Sequence, residues 1–205
     1  MPKNAKNFWG KHFWFVIHYA ALLLAYEDFK RFLLLLTKLL PCSECRTHLL
    51  ENIKVIFPET VPRGKKIDTF LLSIDLHHLV NRQLGKIFKA SPERIKAYYI
   101  NKGSVNFDKE FLFTIRAIAF TGAYDDKYFK EYLSMLLPFT STYFQKSYEN
   151  LPFREEYQSQ DDAFSWSIRL GGVFLARKGF TQDDRALKES FSESMTDDCS
   201  QCSLR

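Results

Sequence analysis

From Phe8 to Phe180 the apolar residues of this chain recur at every third and fourth position rather than at alternate ones, and runs of β-branched residues are scarce. That spacing places side chains along one stripe of a helix, whereas a half-buried strand needs a period of two. The pattern therefore predicts an all-α fold. Helices are expected at about 8–25, 28–40, 42–56, 68–87 and 92–101, and the Pro- and Gly-containing stretch from Phe57 to Lys66 reads as a loop. A second set is expected at about 107–121, 125–147 and 160–178, punctuated by Gly122 and by Asn150-Leu151-Pro152. The organisation that follows is a helical bundle over residues 1–103, an additional helical domain over 104–180, and a flexible polar tail over 181–205.

A core is affordable at this length. Of 205 residues 46% are hydrophobic and 20 are Phe, which excludes disorder over most of the chain. The net charge of +5 is spread along the sequence. Its one tight basic cluster, Arg63-Gly64-Lys65-Lys66, reads as a solvated loop rather than a nucleic-acid site. The apolar run from Phe13 to Tyr26 is interrupted by His18 and followed by Glu27-Asp28, short of the roughly 20 apolar residues of a membrane-spanning helix. No small-residue cleavage site follows it, so it does not read as a signal peptide. A soluble protein without a membrane span is expected.

The chemistry-bearing residues fall in three groups. Cys42 and Cys45 are separated by Ser43-Glu44, a spacing at which two thiols can open and close a disulfide without backbone movement. Pro41 before them suits the first turn of a helix, where backbone N–H groups stabilise an anion. Trp14 with His18, and His77 with Asn81, stand one helical turn apart, so each pair forms a ledge on one helix face. Two such ledges facing each other could hold a planar heterocycle, with Lys86 suited to a pyrophosphate. Cys199 and Cys202 repeat the Cys-x-x-Cys spacing near the C-terminal Arg205. Four cysteines are too few for a secreted disulfide scaffold of this size, which leaves redox or metal chemistry.

In that order and spacing the residues resemble the Erv/Alr-type FAD-linked sulfhydryl oxidases. Trp14 to His18 with Ala21 is similar to the family's W-x-x-x-H-x-x-A, Cys42 to Cys45 to its C-x-x-C, and His77 to Lys86 to its H-N-x-V-N-x-x-L-G-K. His78 stands where the family usually has Asn, and Leu72 where it often has Trp. The resemblance covers about residues 8–100 and implies a helical bundle holding FAD, lined by Trp14, His18, His77, Asn81, Lys86 and, near the adenine, Tyr98. It further implies that Cys42 meets incoming protein dithiols and that Cys45 is the flavin-proximal thiol. Electrons would pass through FAD to oxygen, giving hydrogen peroxide. Cys199 and Cys202 would act as a shuttle, across a homodimer. A short flavin domain followed by an unfamiliar helical region looks most like members encoded by large DNA viruses, which would work in the host cytoplasm or virion. Other members would place it in the mitochondrial intermembrane space or cytoplasm.

Two other readings compete. Both Cys-x-x-Cys pairs could ligate a structural zinc in a nonenzymatic interaction protein, though residues 199–202 would have to return to 42–45 and the Trp14 and His77 groups would stay unexplained. Thioredoxin-like exchange expects a βαβ pattern, and the chain shows none. The aromatics of residues 107–180, Trp166 among them, read as core or oligomer contacts.

Overall fold

The computed structural model describes residues 5–57, 67–86, 90–122, 126–153, 157, 159–179 and 181–196. Among them lie nine α-helices and one 3-10 turn, and no strand, as the spacing of apolar residues requires. The helices are α1 (Ala5–Leu23), α2 (Tyr26–Leu39), α3 (Ser43–Ile56), α4 (Thr69–Gln83), α5 (Pro92–Phe120), α6 (Asp126–Leu136), α7 (Thr142–Asn150), α8 (Gln160–Arg177) and α9 (Asp184–Thr196). None of the described helices is long and apolar enough to cross a membrane.

Helix α1 is central, packed against α4, α5 and α9. Its apolar stripe of Phe13, Val16, Ile17 and Ala20 is buried. Small residues at Ala20 and Ala21 bring α4 close enough for the Thr69 hydroxyl to donate to the Ala21 carbonyl at 2.6 Å. Helix α2 buries Phe29, Phe32, Leu33, Leu36 and Leu39, carries Glu27 and Asp28 in its first turn and ends near Lys38, all in keeping with the helix dipole. Helix α3 turns back against it after only Leu40, Pro41 and Cys42.

Three expectations change in the fold. First, the helices expected at 92–101 and 107–121 are one 29-residue helix, α5, started by the Ser91 hydroxyl, which accepts the Arg94 N–H, and by Pro92. The boundary placed between residues 103 and 104 falls inside this helix, and one continuous apolar core runs from α1 to α9. Gly103 permits close packing rather than breaking the helix. A Cβ there would collide with the Cε2 of Tyr19, whose ring is held between Phe15 and Phe107. Gly103→Ala should therefore lower the unfolding free energy by about 1–3 kcal/mol despite the better helix propensity of Ala. Urea titration measures it, and an unchanged or raised midpoint would show that the Tyr19 ring is not confined.

Second, the helix expected over 125–147 is two. Pro138 has no N–H to continue α6, so residues 137–139 tighten into a 3-10 turn, and the Ser141 hydroxyl then caps α7 by accepting the Phe144 N–H. The buried Asp108 of α5 fixes this corner, accepting the Ser141 N–H at 2.9 Å and its hydroxyl at 2.5 Å.

Third, the tail expected to be flexible from residue 181 continues as α9 as far as Thr196. Its polar composition conceals one apolar face. Phe191, 3% exposed, packs among Phe113, Phe120 and Phe164, and Leu187 sits one turn earlier on the same side.

Candidate functional site

The first group of candidate residues sits at the start of α3. Cys42 is the N-cap of the helix, with extended backbone, and its Sγ accepts the Cys45 N–H at 3.2 Å. Pro41 thus lies just outside the helix rather than in its first turn. The sulfur occupies the position a Ser or Asp oxygen fills in an ordinary cap, so a backbone N–H at the positive end of the helix dipole points at it. The Arg46 guanidinium donates to the Lys38 carbonyl at 3.2 Å and fastens this end of α3 to the end of α2. Cys42 and Cys45 are not joined in a disulfide in this structure. Cys42 is only 1% exposed, whereas Cys45 is half-buried. Cys45 is thus the more open of the two, although the resemblance gives Cys42 to incoming dithiols.

The second group is assembled by α1 and α4. The Trp14 indole and the His77 imidazole stack with centroids 3.8 Å apart and planes within 5°. His18 lies behind them, its Nε2 2.8 Å from His77 Nδ1 and its Nδ1 2.9 Å from the Ser73 hydroxyl. The ring of Tyr99 from α5 closes the far side of His18 at 5.3 Å. Burial, with the neighbouring His77 and His78 charges, lowers the His18 pKa to about 3, and His18 is 2% exposed. Burial, with His78 and Lys86, lowers that of His77 to about 4. Both imidazoles are neutral at pH 7, able to give or take a hydrogen bond without bringing a charge into the site.

The end of α4 is shaped by Gly85, whose φ of +66° closes the helix. The Gly85 N–H donates to the Arg82 carbonyl and the Lys86 N–H to the Asn81 carbonyl, at 3.1 and 2.8 Å. This left-handed termination keeps Lys86 next to the turn bearing Asn81 while exposing its side chain. Helix α4 is joined to the cysteine helix by a reciprocal amide pair, Asn52 with Gln83, at 3.0 Å in each direction.

The structure therefore joins Trp14, His18 and His77 by direct contact and puts Asn81 one turn beyond His77. It does not bring Tyr98 to the His18 cluster by any described contact: Tyr98 is 50% exposed, and its neighbour Tyr99 is the ring that packs there. Ser73 and Tyr99 are the residues that the sequence reading missed. For Ser73 the signal was its place one turn before His77 on the same face of α4. Cys199 and Cys202 lie outside the described residues.

The arrangement is a flat aromatic and imidazole platform beside an amide and a cation, built by α1 and α4, of which α4 packs against the helix that begins with two thiols. A planar heterocycle is the ligand such a platform suits. Among the described residues no group of three or more His, Cys, Asp or Glu side chains is placed to hold a metal ion. Comparison with family models, with curated proteins and with solved structures finds no match to this chain.

Proposed function

We propose that the chain is a FAD-dependent sulfhydryl oxidase, its α1–α4 region a flavin domain of the Erv/Alr type, forming disulfides in protein substrates. The observation that carries this reading is the Trp14–His77 stack backed by neutral His18, with α4 packed against α3, the helix that Cys42 caps. The donor set suits FAD. Trp14 and His77 offer a ring surface, Asn81 an amide, and Lys86 an exposed cation for phosphate. Cys45, the more open sulfur, has the access that a flavin-proximal thiol needs.

The cysteines perform the thiol chemistry. In the oxidised protein a substrate thiolate attacks Cys42 of the Cys42–Cys45 disulfide, a step that requires the 1%-exposed Cys42 to be uncovered as substrate docks, forming a mixed disulfide and releasing Cys45 as thiolate. The second substrate thiolate then attacks the substrate sulfur, closes the substrate disulfide and expels Cys42. At that moment Cys42 carries the negative charge, and the Cys45 N–H, 3.2 Å from its sulfur, stabilises the departing anion. Two substrate thiols have become a disulfide, and their two electrons reside on Cys42 and Cys45. FAD held by Trp14, His77, Asn81 and Lys86 would supply the two-electron acceptor for re-forming the Cys42–Cys45 disulfide, with oxygen as the final acceptor and hydrogen peroxide as its product.

The purified full chain should be yellow, should release FAD on denaturation, and should consume oxygen when given dithiothreitol, forming one peroxide per disulfide. Colourless protein that takes up no added FAD would reject the proposal, and stoichiometric zinc in that protein would favour the metal-site reading instead.

A further inference from the structure

We propose that the cleft between α8, α9 and the last residue of α5 is a binding site for a small zwitterion with an apolar body, the chemical class of a free aromatic amino acid.

The cleft is built from residues that the thiol chemistry leaves unused. Its volume of about 390 Å³ falls within the ~300–1,000 Å³ of small-ligand sites. Its apolar lining is Phe120 and Phe164, whose rings meet edge to face at 5.0 Å, and each ring lies 5.5 Å from the buried Phe191 of α9. Three rings braced against one another give the cleft a firm apolar surface.

The polar lining divides by charge. Lys188 of α9 brings its ammonium 3.0 Å from the Ser165 hydroxyl of α8, a contact that spends one of its three hydrogens on a neutral partner. Asp161, in the first turn of α8, has no hydrogen bond or ion pair among the described residues. Gln160 takes neither role, because its amide already donates to the Phe120 carbonyl and closes that end of the cleft. One cation and one carboxylate therefore line the same apolar surface, and neither neutralises the other. A purely anionic ligand is opposed by Asp161 and a purely cationic one by Lys188. A zwitterion satisfies both, with its carboxylate at Lys188, its ammonium at Asp161 and its side chain on the Phe120 and Phe164 rings. Nothing in this site depends on FAD, so the assignment stands or falls apart from the oxidase reading.

The test is titration of the isotope-labelled full chain at pH 7 with L-phenylalanine, phenethylamine and phenylpropionate, followed by the backbone amide shifts. L-Phenylalanine should saturate with a dissociation constant of about 1 mM, ordinary for a ligand of this size, and should move the amides of Phe164, Ser165 and Lys188. Each of the other two lacks one charge and leaves its protein partner unmet, so each should bind about tenfold more weakly. Lys188→Met should lower the affinity for phenylalanine about tenfold without lowering that for phenethylamine, and Asp161→Asn should do the same relative to phenylpropionate. Asp161 is exposed and Lys188 half-buried, so the melting temperatures of both variants should stay close to that of the original chain. Should either variant fail to fold, the three ligands on the unaltered chain still decide. Shifts that do not saturate with L-phenylalanine, equal affinity for the three compounds, or an unchanged phenylalanine affinity in either folded variant would each overturn the assignment.

Discussion

Under the proposed oxidase function, Cys42→Ser and Cys45→Ser should each abolish dithiol oxidation, by at least about a thousandfold, without unfolding the protein or preventing it from holding FAD. The proposed thiol chemistry depends on a disulfide that opens and closes, and a hydroxyl cannot replace either sulfur in that exchange. The structural cost, by contrast, is small. Cys42 is a helix N-cap, a position at which Ser is among the preferred residues, so its hydroxyl can accept the same Cys45 N–H. Cys45 is half-buried, and exchanging sulfur for oxygen there changes little volume. Oxygen uptake with dithiothreitol, recorded beside the flavin absorbance and the melting temperature, separates the chemical effect from a folding defect. Turnover within a few-fold of the original in either variant would remove the cysteine pair from the reaction.

Helical periodicity was the most legible property of the sequence because it is written in every turn. It told where apolar stripes run, and α1 to α4 begin and end within a few residues of the expected positions. Breaks were harder to read, since one residue type serves opposite ends. Gly103 looks like punctuation but is the small surface on which the Tyr19 ring rests, a contact made by a residue far away in sequence. Pro138 does act as a break, yet its neighbours are helical enough to hide it. In α9 the buried Phe191 anchors a segment whose Ser, Asp and Glu content suggests a solvated tail.

The candidate site was legible to the same depth. Helix spacing places Trp14 with His18 and His77 with Asn81, but the approach of those two ledges depends on how α1 meets α4, which no local pattern encodes. The choice of Tyr99 over Tyr98 turns on about 100° of helix rotation, finer than periodicity resolves. Ser73 escaped notice because a serine in a helix carries no chemical signal until a buried ring is found against it.

Burial of two histidines makes the fold sensitive to acid. Both have pKa values pulled down from 6.5 in the folded chain, to about 3 for His18 and about 4 for His77. Below pH 6.5 the unfolded chain binds protons that the native one refuses, so stability must fall with pH until the folded values are reached. Between pH 7 and pH 5 each ring costs about 2 kcal/mol, and the pair about 3–4 kcal/mol, a large part of the roughly 5–15 kcal/mol typical of a domain. The groups that bear on the rings reinforce this sign, since His78 acts on both and Lys86 on His77, each of them cationic when protonated. Urea unfolding at pH 7.5, 6 and 5 should show a midpoint that drops steadily, and the drop should flatten in a His18→Gln, His77→Gln double variant, which keeps polar groups but cannot charge. A midpoint equal at pH 7.5 and pH 5 would mean that the native rings protonate as freely as exposed ones, which the buried His18–Ser73 and His18–His77 contacts do not allow. The same physics sets how the site responds: its imidazoles stay neutral throughout this range, so acid weakens the bundle before it alters the hydrogen bonds offered at the platform.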